Sequence, residues 1–196
     1  MSLWGNSDAD ESKPKNLTTA EKKEVYATAS GWVREAGSAL SGNSNTSADP
    51  EVLVAISALS TNLGAADVTE VEWITTTADK SAGFTLSIRV RYNEAVTVTG
   101  SPTLAVTNGN QGSGSGRGPH TLVYASGTGT NELVFSLAIA AANAATNADD
   151  VLSIGAQNVL KPGGATIKDT AGTNSDSAVA ISGAQGTAAG TLTVVA

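Results

Sequence analysis

The sequence predicts a mainly β protein: an antiparallel sandwich preceded by an N-terminal extension containing one or two short helices. Three observations predict it. In residues 83–100, Phe84, Leu86, Ile88, Val90 and Tyr92 alternate with Thr85, Ser87, Arg89 and Arg91. A period of two sends the first set to a buried face and the second to water. Roughly seven to nine short runs of this kind, separated by turn signals, describe a sandwich. The composition agrees: 40% of residues are hydrophobic but only 4% aromatic and 15% charged, so the core must be built from Val, Leu, Ile and Ala.

Taken in order, residues 1–48 are polar and punctuated by Gly, Pro, Ser and Asn, with Trp4, Tyr26 and Trp32 as exceptions. Thr18 and Glu21 have the spacing of a capping box, which predicts a helix from Thr19 to about Ala27. Residues 41–47 read as a flexible linker. Asp49-Pro50-Glu51 resembles a helix start, with a cap, a proline at the first position and an acid at the positive end of the dipole. Val52, Ile56, Leu59 and Leu63 follow at helical spacing before Gly64. The competing reading is a strand through 52–56; the helix is preferred. From Val68 the pattern is β. Val71 and Trp73 alternate with acids, Asn93-Glu94 kinks the long run, and Val96 and Val98 resume it. Further strands are expected at 103–107, 121–125, 132–139, 151–154, 165–168, 178–181 and 191–195. The expected core is Phe84, Leu86, Ile88, Val90, Val96, Leu104, Val106, Leu122, Tyr124, Leu133, Phe135, Leu137 and Ile154.

The run from Phe84 through Glu94 to Val-Thr-Val-Thr-Gly-Ser-Pro-Thr-Leu104 resembles the repeat of bacterial Ig-like modules in large adhesins. The likeness continues through 122–137 and 150–155 and ends at Gly164-Ala-Thr-Ile-Lys-Asp-Thr-Ala-Gly172. It implies an Ig-like sandwich over 65–196 and an N-terminal arm and docking region over 1–64. It implies little about function, because such sandwiches carry many unrelated sites.

The chain carries few groups suited to catalysis. A net charge of −7 argues against nucleic acid as partner, since phosphate binding needs clustered Lys and Arg. There is no cysteine and one histidine, His120, so zinc chemistry and thiol catalysis lack residues. No Gly-x-Ser-x-Gly elbow is present. The glycine-rich loop 109–118 leads from Arg117 to Pro119 without the Gly-Lys-Ser/Thr of a phosphate loop. Asp149, Asp150 and Asp169 fall at strand ends, where calcium is sometimes held, but without a calcium-loop spacing. No apolar run approaches the ~20 residues of a membrane span, and the opening lacks the basic and apolar regions of a secretory signal. The expectation is a protein without enzymatic activity, cofactor or membrane partner.

Trp4 and Trp32 lie among too few apolar residues to be buried by their own segment. Trp32 either tucks against the sandwich or, like Trp4, anchors the chain in a neighbouring protein. Leu3-Trp4-Gly5-Asn6, Asp8, Glu11 and Lys13-Pro14-Lys15, then Gly31-Trp32-Val33 and Glu51-Val-Leu-Val-Ala55, are similar to the opening of virion structural proteins of marine tailed phages. There the opening is joined to variable C-terminal modules. The resemblance implies a virion component and does not fix which part of the particle; the expected place is the particle surface. The expected role is capsid decoration or cement, with the major capsid protein as partner and neighbouring copies as a second contact. A neck, tail or baseplate component and a carbohydrate- or cell-surface-binding module are the alternatives. The residues expected to contact partners are Leu3, Trp4, Asp8, Lys13, Lys15, Trp32, Arg34 and, from the glycine-rich loop, Arg117.

Overall fold

The structure, a computed structural model, describes residues 13–109, 118–143, 145–171 and 176–196. Leu3, Trp4, Asp8 and Arg117 lie outside the described residues.

The N-terminal part is a small β-meander with two short helices. Helix α1 (Thr19–Lys23) is opened by the expected capping box: Thr18 Oγ1 accepts from the Glu21 N–H at 3.2 Å, and Glu21 Oε2 accepts from the Thr18 N–H at 2.8 Å. It stops short of Ala27 because Val25, the start of β1 (Val25–Thr28), enters a sheet. Strand β2 (Gly31–Arg34) pairs antiparallel with β1 and with β3 (Glu51–Ala55), and α2 (Leu59–Asn62) closes the unit. The helix expected from residue 49 to 64 is therefore corrected to a strand followed by a single helical turn. Pro50 precedes the strand, and the Val-Leu-Val run of β3 finds its hydrogen-bond partners across the sheet in β2. The two strands approach closely at Gly31, which has φ +129°; a Cβ there would lie 2.0 Å from the Val54 carbonyl oxygen. Val25, Ala27, Trp32, Ile56 and Leu59 form a separate apolar cluster, with Leu17, Leu53, Val54 and Leu63 packed against it. The polar opening is thus buried only together with the stretch that follows it, since Ile56 and Leu59 complete the cluster around Val25, Ala27 and Trp32.

The second part holds β4 (Val68–Trp73), β5 (Ala78–Asp79), β6 (Phe84–Thr99), β7 (Thr103–Gly109), β8 (His120–Ser126), β9 (Thr130–Ile139), β10 (Val151–Ser153), β11 (Gln157–Asn158), β12 (Thr166–Asp169) and β13 (Ala180–Ile181), then α3 (Gly183–Ala189) and β14 (Thr191–Val195). Hydrogen bonds link the strands in the order β3-β2-β1-β6-β9-β8-β7-β10-β14-β5, with β4 and β12 also on β6 and β11 paired with β13. Strand β6 is the spine, pairing antiparallel with β4, β9 and β12 and parallel with β1 through Ala27 and Glu94. The kink expected at Asn93-Glu94 is absorbed in one continuous strand, as a shift of register against β9 between Arg91 and Val96.

The chain is mainly β and sandwich-like. Leu86, Ile88, Val90 and Tyr92 from β6 meet Leu122, Leu133, Phe135, Leu152, Ile167 and Val194 in one core. Burying each such side chain contributes about 1.5–3 kcal/mol. Ten of the thirteen expected core residues are buried; Phe84, Tyr124 and Leu137 are partly buried against the same core. The short α3 was not expected, although Ser182 and Gln185 form its capping box. Gly186 lets this helix lie on the Ile154 backbone, 2.1 Å from where a Cβ would sit.

Candidate functional site

The outer face of β6 is where the two parts meet. Alternation expects Arg89 and Arg91 in water. Arg91 is instead only 4% exposed, because the meander covers it. Its Nη1 donates to both carboxylate oxygens of Glu35 at 2.9 Å and to the Lys23 carbonyl at 3.1 Å. Its Nε donates to Glu72 at 3.2 Å, and Glu132 Oε1 lies 2.7 Å from Nη1. Arg89 bridges the same Glu72 at 3.0 Å and faces Glu132 at 3.4 Å. Register places these charges side by side: Arg89 opposite Glu72 on β4, and Arg91 opposite Glu70 on β4 and Glu132 on β9. Burial opposes the charge on Arg91, yet the surrounding acids hold its pKa above the ordinary value. Burial, with Glu132 nearby, outweighs Arg91 at Glu35 and pushes that carboxyl up to about 7.

Beside this cluster lies a cleft of about 500 Å³, lined by Lys13, Lys22 and Lys23 around α1, Trp32 of β2, Asp67, Thr69 and Glu70 at β4, Asn93 of β6, and Gln185 and Ala188 of α3. Lys23 forms an ion pair with Glu70 Oε1, while Glu70 Oε2 is buried without a hydrogen-bond partner among the described residues. Lys13 Nζ donates to the Lys22 carbonyl at 2.7 Å and makes no ion pair among the described residues. Burial and the neighbouring Arg91, against Glu70 and Glu35, bring its pKa down to about 8. Asn93 Oδ1 accepts from the Asp67 N–H at 2.7 Å, and Gln185 Nε2 donates to the Val68 carbonyl at 2.9 Å, so both walls are fixed by backbone contacts.

The structure distributes the residues expected to contact partners in different places. Lys13 borders the cleft and Lys15 is exposed. Trp32 is 2% exposed and packed in the meander's own core, so its burial is complete within the chain and its role as an external anchor is corrected. Arg34 is mostly buried, with Glu51 at 3.4 Å and Glu21 at 3.5 Å. The sequence reading missed the charge cluster and the cleft. The signal was there in Glu70, Glu72, Arg89 and Arg91, since like spacing on paired strands lines up opposite charges.

The remaining candidates separate. His120 is buried in β8 with Thr146 Oγ1 3.1 Å from Nε2, and burial lowers its pKa against the pull of Asp150. Asp150 Oδ2 accepts from Asn108 Nδ2 and from the Asn147 N–H, each at 2.8 Å, which makes it a loop brace. Asp149 is exposed, and Asp169 lies on β12 near Glu94 rather than beside Asp149 or Asp150. Among the described residues no three His, Asp or Glu side chains are grouped to hold a metal ion, and no helix is long and apolar enough to cross a membrane.

Neither a family model, nor a curated protein, nor a solved structure matches the chain.

Proposed function

We propose that the chain is a non-enzymatic structural protein of a phage particle, decorating or cementing the capsid on the virion surface, with the major capsid protein as its partner. The observation that carries this reading is the joint between the two parts. Residues 17–63 build a base with its own apolar cluster, and Arg91 clips that base to the sandwich through Glu35 and the Lys23 carbonyl. A self-supporting base joined to a sandwich fits the resemblance to phage proteins, in which a shared opening carries variable C-terminal modules. With Trp32 and Arg34 engaged inside the base, attachment falls to Leu3, Trp4 and Asp8 and the exposed Lys15, where an aromatic anchor and mixed charges set register on a partner.

The test is binding to particles that lack the protein, using a variant without residues 1–12. The deletion stops there because Lys13 is bonded to Lys22 and Leu17 packs in the base. Loss of binding with an unchanged melting curve is expected; full occupancy by the truncated form would refute the attachment. Mass spectrometry of purified particles gives the copy number. On the order of hundreds of copies fits decoration, and roughly a dozen would place the protein in a neck or tail ring instead.

A further inference from the structure

The cleft between the base and the sandwich is not used by the attachment just proposed. Its volume of about 500 Å³ is in the range of small-molecule sites, and it lies between two structural units, where such sites concentrate. The chemistry of its walls is mixed in an informative way. Lys13 is a half-buried cation that makes no ion pair among the described residues, its Nζ bonded to the Lys22 carbonyl. Glu70 Oε2 is a buried acceptor with no donor among the described residues. Asn93 and Thr19 add polar groups at the wall, while Trp32 and Ala188 supply apolar surface.

An unpaired cation next to an unpaired acceptor is complementary to a molecule carrying an anionic group and hydroxyl donors together. A di- or triphosphate fits poorly, because Asp67 and Glu70 would face its several charges. A bare hydrocarbon leaves Lys13 and Glu70 unsatisfied, each at a cost. We propose that this cleft binds a sugar residue bearing a single negative charge, the ammonium of Lys13 taking the anion, Lys22 supporting it, and Glu70 Oε2 accepting from a hydroxyl. The site would let a particle-surface protein engage acidic polysaccharide, yet it does not depend on the particle reading and is tested on the isolated chain.

The experiment is titration calorimetry of the full chain with di- and trigalacturonate and with glucose 6-sulfate, against the neutral galactose oligomers and inorganic phosphate. The acidic sugars are expected to bind at least tenfold more tightly than the neutral ones and than phosphate. Lys13→Met and Lys22→Met, which keep the aliphatic stems, are each expected to weaken binding at least fivefold; Lys22→Met leaves the melting temperature in place, and Lys13→Met, which loses the bond to the Lys22 carbonyl, keeps the far-UV spectrum of the folded chain at the titration temperature. Which acidic sugar binds more tightly tells a carboxylate from a sulfate ester. Because Lys13 titrates near 8 among Arg91, Glu70, Glu35, Lys22, Lys23 and Asp67, affinity should fall between pH 7 and pH 9. An ordinary lysine would show no such fall. Equal binding of neutral sugars, phosphate binding as tight as the sugar acids, no binding of any acidic sugar at 10 mM, or full affinity in Lys13→Met would each overturn the proposal.

Discussion

Arg91 Nη1 lies 2.9 Å from each carboxylate oxygen of Glu35, so one guanidinium nitrogen of the spine strand holds the residue that follows β2. The two residues belong to different parts of the chain, and the contact is largely closed to water. Removing one member of a buried charge cluster leaves the others uncompensated, at a cost of about 3–5 kcal/mol. Arg91→Met is expected to lower the urea midpoint accordingly. Arg89→Met, at the more exposed end of the cluster, should cost less than half as much. Equal losses in the two variants would mean that the joint is not centred on Arg91.

Stability should fall as the pH rises. Glu94 points to the core side of β6 with neither carboxylate oxygen hydrogen-bonded. Burial, with Asp169 and then Asp67 nearby, pushes it up to about 8, and Glu35 is pushed up to about 7. In the unfolded chain both titrate at about 4.3. The folded state therefore binds more protons over this window, and the stability tied to these groups is complete below about pH 4 and lost progressively up to about pH 8. Denaturation midpoints at pH 5 and pH 9 measure it, the second being the lower.

The same residue gives a substitution that stabilises. Glu94→Gln removes the buried charge that forms at high pH and should raise stability at pH 9 by about 1–3 kcal/mol, the usual cost of an unsatisfied buried group. At pH 5, where Glu94 is already neutral, the two proteins should agree closely. A destabilised variant at pH 9 would show that Glu94 is held as a carboxylate.

Phe135 stands edge-on to Tyr124, with ring centroids 6.2 Å apart, and is fully buried opposite Ile88. Phe135→Ala is expected to cost about 3–5 kcal/mol by chemical denaturation. A loss under 1 kcal/mol would mean that the inward face of β9 is the other one.

Gly31 tests the base by itself. Its positive φ and the Val54 carbonyl leave no room for a side chain. Gly31→Ala should unfold residues 17–63 before the sandwich, seen as an early loss of Trp32 fluorescence with the far-UV β signal largely kept. A single transition at the wild-type midpoint would contradict the close approach of β2 and β3.

The sandwich was legible in the sequence because each of its strands repeats with a period of two around a buried face, as Leu86-x-Ile88-x-Val90 and Leu133-x-Phe135 do. The base was not. Ile56 and Leu59 do reach the same cluster, which is why a helical period fitted them, but Val52 is 51% exposed and lies on no helix face. Only pairing with Gly31–Arg34, residues far back in the chain, decides for a strand. Arg91 misled for a related reason: alternation says which face a side chain is on, and says nothing of what a distant segment later lays over that face. Lys13 and Trp32 were singled out as contacts with another protein. One borders a cleft and the other fills the base, because the folding that joins them is long-range.

Among the described residues, the strand pairing between base and sandwich is a single parallel pair, Ala27 with Glu94. Were the chain anchored by its first residues, tension would enter through α1 and reach the sandwich along β1. With so little backbone bonding to resist it, the load passes to the charged side chains around Arg91. Those contacts are largely closed to water and so are little screened by salt, which leaves their geometry rather than ionic strength to set when they part. In such an anchored chain the base would be a mechanical fuse, its joint parting before the paired strands β6 and β9 of the sandwich.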